Sequence, residues 1–268
     1  MIIDGKQIAE EIFVSLEKER DTLPHQPRLG LVVGTDDKVT LSFVRIKERI
    51  AARLQVTVVR ETLLPGTTLE RALVVVQQLC RTCDAVVVVQ LPLAYGIDTE
   101  AVLATIDPAR DIDAMNPHTK EFERAVEAPV AEAIAAVFAR VNADVRGKAA
   151  VVVGAGRLVG APAVAYLKSR GAIVSVVTKT EGSLDGLKDA DIVVLGAGEP
   201  GLVKPEMLKA GVILIDGGTS EAGGKVVGDA HPACADIAGV FTPVPGGIGP
   251  ITVAMVFKNL FELAKQHR

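Results

Sequence analysis

Residues 149–162 read AAVVVGAGRLVGAP, and this stretch decides the fold of the second half of the chain. An apolar run of strand length leads into a glycine-rich turn, G-x-G-x-x-x-G, and then into a helical pattern. Glycines in such a turn let the backbone approach a pyrophosphate, and the N-terminus of the helix offers N–H groups to the anion. The stretch predicts a dinucleotide site; because its spacing is one residue longer than the usual fingerprint, a tight turn without ligand is the alternative. The candidate cofactor-binding residues in it are Gly154, Gly156, Arg157 and Gly160.

Two further strand ends complete the candidate cofactor site. Residues 178–180 read TKT and follow a predicted strand, at the place where an acidic residue would bind the ribose 2′-hydroxyl of NAD. A cation between two hydroxyls suits a 2′-phosphate instead, so we expect NADP, with NAD and a merely solvated lysine as the alternatives. Residues 196–198 read GAG and end another strand, where small side chains leave room for the nicotinamide ring. The candidates at these two strand ends are Thr178, Lys179, Thr180, Gly196, Ala197 and Gly198.

Strand and helix patterns alternate along nearly the whole chain. The strands are predicted at residues 28–33, 57–63, 84–89, 149–153, 173–178, 192–195 and 212–216. The longer helices are predicted at residues 8–18, 40–54, 69–81, 129–141 and 251–266, with short helices between the later strands and a turn or hairpin at residues 217–229. Because βαβ alternation occurs twice, we predict an α/β protein of two doubly wound domains, the second of Rossmann type. Residues 1–141 plus 251–268 would form the first domain, and residues 142–250 the second.

Composition and charge narrow the possible functions. The chain of 268 residues carries a net charge of -4, which gives no basic surface for nucleic acid. No apolar run approaches the roughly 20 residues of a membrane span, and the first residues lack the pattern of a secretory signal, so we expect a cytoplasmic protein without membrane contact. Cys80 and Cys83 form a lone C-x-x-C without a second pair, and the four histidines lack metal-ligand spacing, so we expect no metal.

In the first half of the chain, polar residues fall at positions typical of a site. Thr40, Phe43 and Lys47 share one face of a predicted helix, because they lie at i, i+3 and i+7. Gln90 follows the most buried predicted strand, and ligands of open α/β sheets bind outside such carboxyl ends. Residues 107–117 read DPARDIDAMNP and offer three aspartates, of which one would bind a nitrogen-rich ligand. A solvated lysine, a capping glutamine and turn-forming aspartates are the alternatives.

Residues 242–252, the Pro/Gly segment, read TPVPGGIGPIT and contain three prolines and three glycines. Proline fixes φ and glycine reaches backbone angles that other residues avoid, so we expect a rigid, exposed loop rather than helix or central strand. Its bare backbone suits contact with a flat ligand, and a stiff connector before the last helix is the alternative.

Together these motifs resemble those of the bifunctional methylenetetrahydrofolate dehydrogenase/methenyltetrahydrofolate cyclohydrolase family, called FolD in bacteria. The resemblance covers nearly the whole chain and is carried by residues 4–6 (DGK), 33–38 (VGTDDK), 89–93 (VQLPL), 110–113 (RDID) and the Pro/Gly segment. It implies an oxidoreductase and hydrolase of one-carbon metabolism, usually a homodimer. Such an enzyme oxidises 5,10-methylenetetrahydrofolate with NADP and hydrolyses the product to 10-formyltetrahydrofolate. The resemblance also implies a cleft between the domains, with folate over the first, catalytic domain and NADP on the second.

The resemblance further implies roles for individual residues. Lys47 would be the catalytic lysine, Gln90 its partner, and Asp113 the carboxylate that binds the pterin. Burial would lower the pKa of Lys47 toward neutrality, so that it could move protons while water opens the methenyl ring. The remaining substrate-binding candidates are Thr40, Phe43, Leu91, Pro92, Pro243, Pro245, Gly246, Gly247 and Thr252.

The chain departs from the family pattern at several positions. Phe43 stands where the family usually has tyrosine, Thr40 where it has serine, and Ala155 where an arginine is frequent. Residues 114–116 (AMN) replace a Gly-Phe or similar pair, and residues 127–130 (EAPV) stand in place of Pro-Cys-Thr-Pro. One alternative is therefore a diverged protein that binds folate or dinucleotide, with dehydrogenase activity only or without catalysis. The other is a two-domain dehydrogenase of the shikimate or amino-acid type, against which the Pro/Gly segment argues.

Overall fold

The computed structural model describes residues 1–34, 38–89, 91, 93–222 and 225–266. The helices within these residues are α1 (Gly5–Arg20), α2 (Lys38–Arg53), α3 (Leu69–Thr82), α4 (Thr99–Ala104), α5 (Pro129–Arg140), α6 (Gly160–Ser169) and α7 (Ile248–Gln266). The strands are β1 (Arg28–Val33), β2 (Thr57–Thr62), β3 (Ala85–Val89), β4 (Ala149–Val153), β5 (Ile173–Val177), β6 (Ile192–Leu195), β7 (Ile213–Asp216), β8 (Ser220–Ala222), β9 (Lys225–Val227) and β10 (Val240–Thr242). Short 3₁₀ turns lie at Glu121–Glu123, Leu184–Lys188, Pro205–Met207 and Pro232–Asp236.

The chain forms two compact units. The first comprises Ile12–Pro129 and Val256–Arg268, and we name it the three-stranded unit; the other comprises Met1–Glu11 and Val130–Met255, and we name it the five-stranded unit. The residues of α1 and α7 are divided between them. The domain boundaries predicted from the sequence differ from the bounds of these units, and they stay a prediction.

The three-stranded unit is built on a parallel sheet in the order β2-β1-β3. β3 is buried along its whole length, although it stands at the end of this strand order rather than at its centre, where the sequence predicted it. A bridge from Val86 to Asp111 covers part of its outer side. α3 begins after Thr68, whose hydroxyl accepts the N–H of Arg71 at 3.2 Å, and its buried residues recur at helical spacing. The strand order reverses between β1 and β3, so the carboxyl ends of these two strands are neighbours, and α2 follows the end of β1.

The five-stranded unit is built on a parallel sheet in the order β10-β7-β6-β4-β5. The chain adds β5 on one side of β4 and the later strands on the other side, so the strand order reverses between β4 and β6. The buried core beside this sheet includes Val151, Leu187, Val193 and Leu214. Both units are therefore of the predicted α/β class with parallel sheets.

Most predicted elements are confirmed, and the Pro/Gly segment differs from its predicted conformation. The bounds of β1, β4 and β6 are as predicted, and the expected hairpin is the antiparallel pair of β8 and β9. The predicted short helices between β5 and β6 and between β6 and β7 are 3₁₀ helices. α7 begins at Ile248, so part of the Pro/Gly segment is helical. Proline is tolerated in the first turn of a helix because its missing N–H would have no intrahelical partner there.

Neither a membrane span nor a metal cluster is present in the part of the chain that the structure describes. No helix there combines the length and the apolar character needed to cross a membrane. No group of three or more His, Cys, Asp or Glu side chains there could hold a metal ion. Cys80, Cys83 and Cys234 are free, and burial raises the pKa of each thiol, which makes all three poor nucleophiles.

Candidate active site

In the five-stranded unit, the carboxyl ends of β4 and β6 lie side by side where the strand order reverses. The N–H of Gly154 donates to the carbonyl of Val177 at 2.7 Å, and the N–H of Gly196 donates to the carbonyl of Val153 at 2.8 Å. A Cβ on Gly154 would overlap the carbonyl oxygen of Gly196, and Gly154 has a φ of +97°, so packing and backbone angle both require glycine. In open α/β sheets this switch point is where ligands bind.

The other two glycines of this turn are needed for different reasons. A Cβ on Gly160 would overlap the carbonyl oxygen of Gly154, so Gly160 lets α6 begin directly against the turn. Gly156 is exposed, and a Cβ on it would come no nearer than 3.9 Å to the carbonyl oxygen of Gly196. Protein packing therefore gives no reason for glycine at position 156. A phosphate bound near the N-terminus of a helix would give a reason, because glycine leaves the phosphate room to approach the backbone.

A cleft of about 460 Å³ opens at this point of the five-stranded unit. It brings together the predicted cofactor residues Gly154, Gly156, Thr178, Lys179, Gly196 and Ala197. Its other lining residues are Val153, Ala155, Val177, Leu184, Glu199 and Leu202. The predicted residues Arg157, Gly160, Thr180 and Gly198 are not among the lining residues that the structure describes. Size and lining fit a dinucleotide site, in which glycine backbone and apolar side chains surround few polar groups.

The loop after β5 places a lysine at this cleft. The hydroxyl of Thr178 accepts the N–H of Glu181 at 3.1 Å, and the N–H of Thr178 donates to the carbonyl of Glu181 at 2.8 Å, so Thr178 closes the turn. The hydroxyl of Thr180, an exposed residue, lies 3.3 Å from that of Thr178. Lys179 is exposed and forms no hydrogen bond or ion pair within the described part of the chain. Its ammonium is therefore available to an anion, and its pairing with a 2′-phosphate stays a prediction.

A buried carboxylate beside the cleft is a functional candidate that the sequence interpretation missed. Asp229 is 0% exposed. Its Oδ2 accepts the N–H groups of Ala197 at 2.7 Å and Gly198 at 3.1 Å, and its Oδ1 accepts that of Glu199 at 2.8 Å. It thus holds the loop that follows β6. The available signal was an aspartate directly after Gly228 in a segment interpreted only as a turn or hairpin.

In the three-stranded unit, Lys47 and Asp113 form an electrostatically coupled pair. Lys47 lies in α2 and is half-buried; burial lowers its pKa, and the carboxylate of Asp113 partly offsets that effect. Burial raises the pKa of Asp113 to about 7, although the ammonium of Lys47 acts to lower it. The neighbouring carboxylate of Asp111 raises it further. Burial therefore shifts both groups toward their neutral forms, which is typical of groups that move protons.

The backbone that carries Asp113 is fixed from two sides. Val86 in β3 donates its N–H to the carbonyl of Arg110 at 2.8 Å. Asn259 in α7 is buried, and its Nδ2 donates to the carbonyl of Ile112 at 3.1 Å. These contacts hold the residues directly before Asp113 against the edge of the sheet and against α7. The position of the carboxylate is therefore set by elements distant in sequence.

Several predicted residues of this unit have positions that the structure does not test. Gln90 and Pro92 lie outside the described residues, and so do the side chains of Thr40 and Phe43, whose backbone belongs to α2. Leu91 is half-buried and packs against the core of the unit. The roles predicted for these residues stay predictions.

The Pro/Gly segment belongs to the five-stranded unit and is held by Gly5. The N–H of Gly5 donates to the carbonyl of Gly246 at 2.9 Å. A Cβ on Gly5 would overlap the carbonyl oxygen of Gly247, so glycine is required at position 5. Gly246 has a φ of +102°, which favours glycine there as well. Gly5 of the motif DGK therefore anchors this segment.

The predicted substrate-binding residues of the Pro/Gly segment differ in exposure. Pro245 is exposed, Pro243 is half-buried, and Gly247 is buried. The N–H of Gly247 donates to the carbonyl of Pro243 at 2.7 Å, which closes the turn between them. Thr252 lies in α7 and donates its hydroxyl to the carbonyl of Ile248 at 3.1 Å. The segment is internally bonded, and only part of it is exposed, whereas the sequence predicted a rigid, exposed loop.

Together these features are typical of a dinucleotide-dependent enzyme. The five-stranded unit has the sheet and the glycine-lined cleft of a dinucleotide-binding α/β domain, and the three-stranded unit carries a lysine and a carboxyl group whose pKa values burial shifts in opposite directions. A family model described as tetrahydrofolate dehydrogenase/cyclohydrolase, catalytic domain, matches residues 3–113. The model for the NAD(P)-binding domain of the same family matches residues 128–268. The chain belongs to the tetrahydrofolate dehydrogenase/cyclohydrolase family.

Individual relatives match this chain along its whole length. The bifunctional protein FolD of Halothermothrix orenii is 37% identical over a gapped alignment of 279 positions, which covers 99% of this chain and 98% of the relative. The solved structure of FolD from Campylobacter jejuni has a TM-score of 0.93 at 26% identity and covers 100% of this chain and 99% of its own. The structure of the Trypanosoma brucei enzyme, solved with NADP and an inhibitor, has a TM-score of 0.89 at 32% identity. The match covers 99% of this chain and 97% of the T. brucei chain. The family resemblance inferred from the motifs is confirmed.

Proposed function

We propose that this protein oxidises 5,10-methylenetetrahydrofolate to 5,10-methenyltetrahydrofolate with NADP and then hydrolyses the product to 10-formyltetrahydrofolate. The observation that carries the proposal is the family membership of both halves of the chain. Full-length relatives named as bifunctional FolD proteins and the relative solved with NADP support it. The same membership disfavours a shikimate-type or amino-acid-type dehydrogenase.

In the first reaction the protein mainly binds and orients. NADP, when bound, supplies the acceptor for the hydride that leaves the methylene carbon, and the two nitrogens on that carbon stabilise the resulting methenyl cation. The glycine-lined cleft at the ends of β4 and β6 would hold the pyrophosphate, and Lys179 would pair with the 2′-phosphate. No strong base is needed, so positioning of the two reactants is the main contribution of these residues to the rate.

In the second reaction the protein must also move protons. Water adds to the methenyl carbon and loses a proton, and the bond from that carbon to N5 breaks as N5 takes up a proton. Lys47 fits this task because burial lowers its pKa, so it can lose and regain a proton more readily than an exposed lysine. Gln90 would orient Lys47. Asp113, when ionised, would accept hydrogen bonds from the amino group and a ring N–H of the pterin.

A second candidate function is folate or dinucleotide binding with dehydrogenase activity only or without catalysis. Phe43 favours it, because phenylalanine lacks the hydroxyl of the usual family tyrosine one helical turn from Lys47. Residues 127–130 favour it too, because they replace a family segment that normally borders substrate and cofactor. The two candidates differ in whether the chain turns over its substrates.

Two assays on the purified protein separate these candidates. Oxidation is followed by reduced-cofactor and methenyl absorbance after mixing with methylenetetrahydrofolate and either NADP or NAD. Hydrolysis is followed separately by the loss of methenyltetrahydrofolate without cofactor. We expect turnover in both assays, with NADP preferred. Folate binding without turnover in either assay would replace the bifunctional enzyme by the binding protein.

We further propose that the protein acts in the cytoplasm as a homodimer, as the family resemblance implies. Sedimentation equilibrium of the purified chain tests the oligomeric state. A single species at the mass of one chain across the tested concentrations would reject the dimer.

A further inference from the structure

We propose that Asp229 is a positioning residue for the cofactor, because its carboxylate fixes the backbone of residues 197–199 at the cofactor cleft. The inference rests on the proposed function, since it takes the cleft between the ends of β4 and β6 to be the NADP site. It assigns a role to a residue that lies behind the cleft and is not one of its lining residues in the described structure.

Asp229 uses both carboxylate oxygens on one short loop. Three consecutive N–H groups, those of residues 197–199, donate to it at distances from 2.7 to 3.1 Å. Ala197 and Glu199 also line the cleft. Because these N–H groups are bonded to Asp229, the loop cannot turn them toward a ligand, and it presents Ala197 and Glu199 to the cleft instead. The orientation of the loop is therefore set before any cofactor arrives.

A second buried carboxylate holds Asp229 in place. Asp216 is 0% exposed, and its Oδ1 accepts the N–H groups of Asp229 at 3.1 Å and Gly218 at 2.9 Å. Its Oδ2 accepts the N–H of Ala230 at 2.9 Å. Burial first, and then the charge of Asp229, raise the pKa of Asp216 to about 6. Within the described residues neither carboxylate has a lysine or arginine partner, so backbone N–H groups alone compensate two adjacent buried acids.

The surrounding chain is shaped to admit both acids. A Cβ on Gly218 would overlap the carboxylate of Asp229, and a Cβ on Gly228 would overlap that of Asp216. Two adjacent buried carboxylates are a costly way to close a turn, because each must be removed from water. A network that only closed the hairpin would need neither the second acid nor three donors from a loop more than 25 residues earlier in the chain. This points to a purpose for the loop itself.

The same network reaches the Pro/Gly segment. The N–H of Asp216 donates to the hydroxyl of Thr242, the first residue of that segment, at 2.8 Å, and Thr242 is 0% exposed. The chain of contacts thus runs from residues 197–199 through Asp229 and Asp216 to Thr242, all within the five-stranded unit. Weakening it at either end should loosen the cofactor loop.

The test compares Asp229→Asn with Asp236→Asn, an exposed carboxylate of the same unit. An asparagine keeps the shape of the aspartate side chain but has only one acceptor oxygen for the three N–H donors, so part of the loop at residues 197–199 loses its hydrogen bonds. We expect the Kd for NADPH, measured by cofactor fluorescence, to rise about tenfold or more in D229N. Hydrolysis of methenyltetrahydrofolate, which uses no cofactor, should stay within about twofold of the parent, and D236N should resemble the parent in both measurements.

Each outcome decides the proposal. An unchanged Kd in folded D229N would overturn it, and so would an equal loss of cofactor binding and hydrolysis, which indicates general disruption of the fold. If D229N does not fold, Thr242→Val and Thr242→Ser test the proposal instead. Only serine keeps the hydroxyl that accepts the N–H of Asp216. We then expect weaker NADPH binding in T242V alone, and equal Kd values would reject the proposal. A parent protein that binds NADPH without turning over folate would refute the proposed function, while the Kd comparison would still test Asp229.

Discussion

Lys47 and Asp113 each oppose the effect that burial has on the other. Burial lowers the pKa of Lys47 while the Asp113 carboxylate acts to raise it, and burial raises the pKa of Asp113 to about 7 while the Lys47 ammonium acts to lower it. Removal of either charge therefore leaves the other group further from its ordinary pKa. This reciprocal dependence makes the proposed proton chemistry of the three-stranded unit testable.

Lys47→Gln should separate the two proposed activities. The amide cannot carry a proton during ring opening, so we expect hydrolysis to fall at least about 100-fold, a usual contribution of a general acid or base. The hydride step relies on positioning and should lose much less. The pKa of Asp113, followed by a ¹³C-carboxyl NMR titration, should rise above its parent value of about 7 because the neighbouring positive charge is gone.

Lys18→Gln is the matched control, because Lys18 is an exposed lysine of the same unit. It should change neither activity nor the titration. Hydrolysis at the parental rate in K47Q would reject the role of the lysine, and an unmoved Asp113 titration would reject the coupling.

Asp113→Asn should raise stability at high pH while weakening folate binding. The pKa of Asp113 is about 7 in the fold and 3.8 ordinarily, so the folded protein binds this proton more tightly than the unfolded chain. The stabilising contribution is complete below the ordinary value and is lost as the pH rises through about 7. Urea unfolding should therefore show the stability of D113N rising relative to the parent between about pH 4 and about pH 7, by at most about 4 kcal/mol, with a constant difference above that range.

The exposed Glu121 supplies a control for this titration as Glu121→Gln. Loss of the Asp113 carboxylate also lowers the pKa of Lys47 further, so the comparison of D113N with the parent is read below the range in which a lysine titrates. A constant stability difference across the pH range would show that Asp113 ionises in the fold as it does in water.

The elements that the sequence predicts well are those with short-range signals. The run at residues 149–153 is apolar without alternation, which predicts the buried strand β4. The glycines that follow it predict the turn at the start of the candidate cofactor site. Ala114 shows a subtler local signal. It has a φ of +56°, an angle that favours glycine, and it stands where the family usually has glycine.

What the sequence could not supply are contacts between distant residues. Asp229 meets residues 197–199, and Asn259 meets Ile112, only because parallel strands and the last helix bring them together. No periodic pattern records such a pairing, so Asp229 was interpreted as part of a hairpin. The opposed shifts of Lys47 and Asp113 likewise depend on burial, which a helical face alone does not define.

Gly156→Ala and Gly160→Ala should separate a glycine needed by the ligand from one needed by the fold. A Cβ at position 156 has room, so G156A should keep its free energy of unfolding within about 1 kcal/mol of the parent. Its Kd for NADPH should rise about tenfold or more if the bare backbone receives the phosphates. G160A should instead lose about 1–3 kcal/mol of stability, because its Cβ meets the backbone of Gly154. Parental cofactor affinity in G156A would mean that the pyrophosphate lies elsewhere.

Lys179→Gln should reduce the preference for NADP over NAD. The exposed lysine at the cleft would pair with the 2′-phosphate, which NAD lacks. We expect the KM for NADP to rise about tenfold while the KM for NAD stays unchanged. Lys168→Gln, at an exposed position of α6, controls for the loss of a surface charge. If K179Q raises both KM values equally, the lysine does not read the phosphate.

Phe43→Tyr should raise the hydrolysis rate more than the dehydrogenase rate. Phe43 precedes Lys47 by four residues in α2, so the two positions are neighbours on one helix face. A tyrosine hydroxyl there could orient the lysine or relay its proton, and only ring opening depends on that proton. Both rates are measured on the same preparation, with Phe122→Tyr, at an exposed ring of the same unit, as the control. An equal change in the two rates, or no change in either, would show that the missing hydroxyl does not limit this enzyme.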